Sequence, residues 1–342
     1  MSKTTTVAID LGKQLFQVGF GDRHGREVGE QRQLKSRDEL EAFINDLEPT
    51  LRVVMEVGLG AQAWAAKVRS RGIRVRLLPA QLVAKHRCGG KNDRNDVRAI
   101  LRADQDREIH AVAVKSPDQL AMQALHRARA GWNSRRTSIS NQMRGLLAEH
   151  GVVFAKGDSA FVNGIDGVIA DASVPLPWCL RDLLAQLMEE WRAISARLQA
   201  QDVELKKLAR ADPIAHRLDE IPGVGPVTAT AMACKAIELE RFANCRKFAA
   251  IFGLIPRQDS SSDKIRLGRM SRNGDDYLRS ALVSGAQAVV KYAVNRKDNQ
   301  PMTRRLQRWA KHHGAKGAAI RLANRNLRVI FQMLTRNEEY RQ

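Results

Sequence analysis

The run Val7-Ala8-Ile9-Asp10-Leu11-Gly12-Lys13 constrains this chain most, because an apolar, β-branched strand there delivers one carboxylate at its end and then bends at a glycine. A single strand-end acid is more often a cap or a surface group than a ligand. Three further acids shift the balance: Glu56 closes a second apolar run, Leu51 to Met55, and Asp93 and Asp96 stand in Lys91-Asn92-Asp93-Arg94-Asn95-Asp96. Carboxylates gathered in one place cannot all stay ionised without a counter-charge. A divalent cation supplies one, and all-oxygen donors suit Mg²⁺, whose remaining positions are filled by water and substrate phosphates. Asp10, Glu56, Asp93 and Asp96 are therefore the expected metal ligands and catalytic acids of a phosphodiester chemistry.

The order of elements around these acids is legible. Residues 14–21 read as a second strand, Asp22-Arg23-His24-Gly25 as a turn and residues 26–33 as a third strand, which makes an antiparallel meander. Ser36 with Glu39 three residues on is a capping box ahead of Leu40, Phe43, Ile44 and Leu47 at helical spacing. A strand over 51–56, a helix over 61–71, a strand over 73–78 and helical segments over 79–104 follow. Three hairpin strands and then alternating helix and strand is the α/β order of a ribonuclease-H-like domain. On a helix Asp93 and Asp96 share one face, with Lys91 and Arg94 beside them to meet phosphate. The bland alternative is that Asp93 only caps that helix. Ile9-Asp10-Leu11-Gly12 also matches the first phosphate loop of actin-like ATPases, but the nearest second loop, Ile165-Asp166-Gly167-Val168, lacks the required second small residue.

Charge narrows the partners. The formal net charge is +20, and residues 241–342 hold 22 Lys+Arg against 7 Asp+Glu. Such a field attracts polyanions, and nucleic acid is the expected one rather than a membrane. No apolar run approaches the length of a membrane span and the N-terminus lacks a signal-peptide core, so a cytoplasmic protein is expected. Cys88, Cys179, Cys234 and Cys245 form no ligand-spaced pair, which argues against a zinc ribbon and a disulfide framework.

From Pro117 to about His150, Leu125, Trp132, Ile139 and Leu146 recur seven apart, a helical seam. Residues 157–177 read as a loop. Leu184, Leu187, Trp191, Ile194, Leu198, Gln201, Leu205 and Leu208 then alternate steps of three and four, the seam of a coiled-coil connector with one polar position. Two such helices are either a dimerisation arm or a hairpin closed on itself.

The last third holds Ile221-Pro222-Gly223-Val224-Gly225-Pro226-Val227-Thr228-Ala229, a glycine turn leading to a helix over 228–237, the signature of a helix-hairpin-helix-like turn. Gly223 and Gly225 would let backbone N–H groups approach a phosphate. Further on, Ser260-Ser261-Ser262 stand on a loop among Arg257, Lys264, Arg266, Arg269 and Arg272, and cations near a hydroxyl favour its use as a nucleophile.

Taken together, Ala8 to Lys13, Met55-Glu56, Lys91 to Asp96, Ile221 to Ala229, Gly253-Leu254-Ile255-Pro256-Arg257-Gln258 with its serines, and Leu322-Ala323-Asn324-Arg325-Asn326 resemble the DEDD-type insertion-sequence transposases. These are the RuvC-like serine recombinases guided by a bridge RNA, with the Piv-type DNA invertases among them. The resemblance covers almost the whole chain. It implies a RuvC-like domain over 1–112, a helical coiled-coil connector over 113–212 and a mainly α C-terminal transposase domain over 213–342. It also implies an essential serine, which falls on Ser261 when aligned on Pro256, with Ser260 as the alternative, and Arg257, Lys264, Arg266 and Arg272 on nucleic acid. Implied partners are DNA at element ends and target, a structured guide RNA, and further copies in a homodimer or tetramer with a composite site. Two departures stand out: Ser260-Ser261-Ser262-Asp263-Lys264 replaces the common Ser-Ser-Gly-Gly-Lys, and Met55-Glu56-Val57-Gly58 replaces Met-Glu-Ala-Thr/Ser-Gly. The rival functions are a RuvC-like nuclease that hydrolyses DNA without a serine and a non-enzymatic nucleic-acid-binding protein. Metal dependence separates the second from the rest, and a protein–DNA adduct separates recombinase from nuclease.

Overall fold

Five strands form a mixed sheet in the order β3-β2-β1-β4-β5: β1 (Thr6–Leu11), β2 (Phe16–Gly21), β3 (Arg32–Leu34), β4 (Arg52–Glu56) and β5 (Arg74–Leu78). The first three are antiparallel, and β4 and β5 run parallel to β1. This is a computed structural model, and it describes residues 4–235, 239, 242, 244–258, 266–271, 274–298 and 300–340. The chain divides into two units, Met1–Leu120 and Ala121–Gln342. Among the described residues no helix is long and apolar enough to cross a membrane.

In the first unit helices α1 (Arg37–Asn45), α2 (Ala61–Ser70), α3 (Ala80–Val83) and α4 (Asp93–Gln105) follow the strands. Ser36 caps α1 as its sequence predicts, its hydroxyl accepting from the Glu39 N–H at 3.1 Å while Glu39 reaches back to the Lys35 N–H at 2.8 Å. The third strand is shorter than the expected 26–33. Gly29, at φ 74°, turns the chain between an isolated Gly21–Glu27 bridge and β3.

Strand alternation sorts the core. Val7, Ile9, Val53, Met55 and Leu77 pack with α1 and α2 on one face, while Ala8, Val54 and Leu78 pack with Val97, Ile100 and Leu101 of α4 on the other. Helix α4 lies close because β2 meets it with glycines: a Cβ on Gly19 would stand 2.4 Å from Val97, and one on Gly21 2.8 Å from Leu101. Its far end is held by Asp104, 5% exposed, which pairs with Arg52 of β4 and with Arg76 of β5 at 2.5 Å. A buried carboxylate is tolerable only when paired in this way.

The second unit opens on two long helices, α5 (Pro117–Ala148) and α7 (Trp178–Ala211), with α6 (Asp158–Ala170) between them in sequence. Residues 125, 129 and 140 of α5 bond to residues 201, 202 and 191 of α7, so the two run antiparallel. Leu184, Met188, Ile194 and Leu198 are buried against Ile139, Met143 and Leu147 within this chain, the arrangement of a closed hairpin. The polar seam residue Gln201 gives its amide to the Leu125 carbonyl at 2.5 Å. The loop expected over 157–177 is corrected: α6 occupies most of it, because Phe161 and Ile165, one turn apart, insert fully buried into the hairpin. Asp166 is therefore helical, which leaves no phosphate loop at Ile165-Asp166-Gly167-Val168.

Helices α8 (Pro213–Asp219), α9 (Pro226–Ala233), α10 (Cys245–Ala250), α11 (Asp276–Val294) and α12 (Pro301–Arg336), with a two-stranded hairpin of β6 (Pro256–Gln258) and β7 (Leu267–Met270), complete the unit around one apolar core. His126 of α5 is buried between Tyr277 Oη at 2.9 Å and Thr230 Oγ1 at 3.1 Å. The Thr230 hydroxyl donates to the Pro226 carbonyl at 2.8 Å, so His126 Nε2–H donates to Thr230 and Nδ1 accepts from Tyr277, a neutral imidazole. Burial, and then the nearby Arg129, push its pKa down to about 4. An unfolded chain therefore binds the extra proton between about pH 6.5 and 4, and stability falls as pH falls through that window. The destabilisation of a His126→Gln variant relative to the natural chain should accordingly shrink on acidification, by at most about 1.4 kcal/mol per pH unit. Denaturant unfolding at pH 7, 6 and 5 reads it, and a gap that does not change with pH would show that His126 is not held neutral.

Candidate active site

The register of β1 on β4 pairs Ile9 with Met55, so the next residues, Asp10 and Glu56, stand side by side at the carboxyl ends of parallel strands. Both follow Ala8 and Val54 in the two-residue period, which puts them on the face covered by α4. Helix α4 supplies Asp93 and Asp96 from its first turn, where the helix dipole favours carboxylates. Asn92, not Asp93, is the cap: its side chain accepts from the Asn95 N–H at 2.8 Å. An open cleft of about 550 Å³ runs past these groups, lined by Asp10, Lys13, Gln17 and Asp93 among others.

The acids sense one another. Burial, then the charges of Asp96 and Asp93, raise Asp10 to a pKa of about 6, against smaller lowering by Arg87 and the Leu11 N–H. Glu56 is raised by burial and then by Asp10 and Asp96, with Arg87 and Lys91 opposing. Arg87, just before α4, donates from Nε to Asp96 Oδ1. Among the described residues no three His, Cys, Asp or Glu side chains stand close enough together to hold one metal ion. The donor set is nonetheless all hard oxygen, crowded and partly desolvated, which fits a divalent cation. Arg87 is the site residue that sequence reasoning missed. Nothing in its spacing marks it among 57 Lys+Arg.

In the second unit the glycine turn has a structural reason. Gly223 has φ 90°, a Cβ there would come within 3.3 Å of the Gly285 and Ala286 backbone, and one on Gly285 would meet the Gly223 carbonyl at 2.1 Å. The turn is thus pressed onto α11, and α12 holds it there through Asn326, which donates to the Pro222 carbonyl at 2.9 Å. Asn324 likewise binds the Leu254 carbonyl at 2.7 Å. Gly225 differs: it is exposed, has open space around it and precedes α9, which Pro226 starts two residues earlier than expected. Gly223→Ala should therefore destabilise the fold by about 1–3 kcal/mol, whereas Gly225→Ala, at the N-cap of α9, should cost less than about 1 kcal/mol. Thermal melts measure this, and equal effects at the two positions would refute the packing role of Gly223.

Arg257 within β6 and Arg266 just before β7 are exposed, and the hairpin register pairs Pro256 with Met270 and Gln258 with Leu267. Arg257 Nε donates to the Ser271 carbonyl at 3.4 Å. Ser260, Ser261, Ser262 and Lys264 lie between the strands in sequence and Arg272 beyond them; all five lie outside the described residues.

Comparison with known proteins places the chain. A DEDD transposase model of IS110 elements matches residues 7–151, and a model described as Transposase IS116/IS110/IS902 family matches residues 215–301. A "Probable family 20 transposase" of Pseudomonas aeruginosa is 37% identical over 336 residues, 98% of each chain. The transposase for insertion sequence element IS1328 of Yersinia enterocolitica is 32% identical over 98% of each chain. That for element IS1111A of Coxiella burnetii is 31% identical over 100% of this chain and 92% of its own. The chain belongs to the IS110/IS116 family of DEDD transposases. Its activity is DNA transposition of a mobile element, and its substrate is DNA.

Proposed function

We propose that this transposase cuts and rejoins DNA at the ends and target of its own element, with Asp10, Glu56, Asp93 and Asp96 as the metal-binding acids and Ser261 as the nucleophile. The observation that carries the acidic half is the β1–β4 register, which sets Asp10 beside Glu56 on the α4 face, where burial, and then Asp96 and Asp93, raise the Asp10 pKa. A bound divalent cation, Mg²⁺ by the hardness of its donors, would neutralise charge building on the phosphate. Lys13, exposed in the cleft, is placed to meet a phosphate oxygen.

The serine half rests on the cationic setting of its loop and on the family resemblance. Ser261 Oγ attacks phosphorus, one deoxyribose oxygen leaves and takes up the serine proton, and the phosphoserine ester keeps the bond energy for rejoining. Arg257, Lys264, Arg266 and Arg272 are the cations assigned to the nucleic acid in this reading, and the exposed Gly225 offers open backbone to a phosphate. A structured guide RNA that selects the target, and assembly as a homodimer or tetramer, belong to the same reading. The deciding experiment incubates the full chain with element-end DNA, Mg²⁺ and the RNA transcribed beside the gene, then denatures it. DNA that stays covalently attached to protein supports the reading, and cleavage without attachment supports hydrolysis instead.

A further inference from the structure

Helix α12 carries nine Lys and Arg in 36 residues and no Asp or Glu. Non-helical backbone at Gly314, φ 70° and ψ 165°, divides it into a first arm, residues 301–313, and a second. The first arm is two-sided. Thr303 and Leu306 are buried, Met302, Trp309 and Ala310 pack partly buried on the core, and the Gln307 amide fixes the arm to the end of α11 by donating to the carbonyls of Ala293 at 3.1 Å and Arg296 at 2.8 Å. At 100° per residue, Arg304, Arg308 and Lys311 fall within about 60° of one another on the opposite side, with Arg305 and His312 beside them. All five are exposed.

Helix stability does not account for this face. Arg304 and Arg305 sit in the opening turns, where the positive end of the helix dipole disfavours cations, and Arg304 repels Arg308 one turn on. None of the nine α12 cations forms an ion pair among the described residues, whereas Lys67, Arg98 and Arg192 on other helices face Glu41, Glu27 and Asp166. A preformed, rigidly backed row of unpaired cations is stabilised by a polyanion lying along it. Arg304 to Lys311 spans about 10 Å of helix axis, enough to meet successive phosphates. Trp309 is turned to the core, so the arm's one large aromatic side chain is withheld from the exposed face, where only the small ring of His312 stands beside the cations, a poor platform for the bases of a single strand.

We infer that the Arg304, Arg308 and Lys311 face of α12 is a binding surface for the phosphate backbone of double-stranded DNA. It acts without reading sequence and independently of the metal and serine chemistry. The test compares the full-length Arg304→Gln/Arg308→Gln/Lys311→Gln variant with Lys206→Gln/Lys207→Gln/Arg210→Gln, which removes equal charge from exposed positions of α7. Fluorescence anisotropy with duplex DNA over 50 to 200 mM salt reads the slope of log affinity against log salt. Three lost phosphate contacts should make that slope shallower by roughly 2–3 for the α12 variant, alike on unrelated sequences, and leave the α7 variant at the natural slope. Unchanged melting curves show that both variants fold. An unchanged slope in the α12 variant, an equal change in the α7 variant, or a loss confined to single-stranded RNA would each overturn the assignment.

Discussion

Asp10→Asn is expected to abolish strand cleavage and, in the absence of divalent metal, to make the protein more stable. The two effects have one cause. Asp10 sits partly buried beside Asp96, Asp93 and Glu56, and its pKa stands at about 6 in the fold against 3.8 for the ordinary carboxyl. At pH 7 the folded chain must keep that carboxylate ionised in a place that disfavours the charge. Removing the charge should therefore raise stability by about 1–2 kcal/mol, after reducing the full linkage value for solvent screening. The sign sets the pH window: the gain is full above about pH 6, fades as the natural side chain takes up its proton between 6 and 3.8, and is gone below. Cleavage must fall even so, because the amide supplies neither the charge nor the geometry of a hard-cation ligand. Glu56→Gln should follow the same pattern in both respects. Asp96→Asn should not, since it takes the acceptor from Arg87 as well as a like charge from Asp10, and the two effects oppose. Denaturant unfolding in chelating buffer and a Mg²⁺-dependent cleavage assay measure the pair. Near-natural cleavage by Asp10→Asn removes that residue from the site, and the lack of any stability gain would mean that burial and the neighbouring acids do not disfavour the Asp10 charge.

Where local rules decide, the sequence speaks clearly. Period-two alternation in Val7 to Asp10 and Val53 to Glu56 says which face each acid takes, and the Ser36–Glu39 capping box marks the start of α1 to the residue. Contacts made at long range are silent. Gly223 reads as a phosphate-approach glycine until Gly285 is found packed against it from α11. Residues 157–177 carry the Gly, Asp, Ser and Pro of a loop, yet Phe161 and Ile165 find a hydrophobic slot that outweighs weak propensity. Arg87 and the Asp104 clamp escape for the same reason: each gains its meaning from a partner on another element, Asp96 for one and Arg52 with Arg76 for the other. The order Asp, Glu, Asp, Asp was legible because strand ends and a helix start are themselves local features.

The second large effect concerns Ser261, whose replacement by Ala should eliminate covalent attachment of protein to DNA. The β6–β7 hairpin holds the two ends of the serine loop together through its Gln258–Leu267 pairing and presents exposed Arg257 and Arg266 beside it. A neutral hydroxyl is a weak nucleophile, and residues 257–272 contain no histidine to act as its base. Activation then falls to the flanking guanidiniums, which lower the energy of an alkoxide and of the charged phosphorane, so the reaction should be more sensitive than usual to their loss. Arg257→Gln and Arg266→Gln should slow adduct formation without removing it, while Ser261→Ala removes it altogether. Ser260→Ala and Ser262→Ala are the controls, and Ser260 is the sharper one, because a one-residue slip in the alignment on Pro256 would exchange the two roles. Each variant is incubated with element-end DNA, Mg²⁺ and the adjacent transcript, denatured, and resolved for DNA-linked protein. Adduct that survives in Ser261→Ala and disappears in Ser260→Ala moves the nucleophile by one residue. Cleavage by the natural chain with no adduct at any time would make the serine a loop residue and leave the acids to act with water alone.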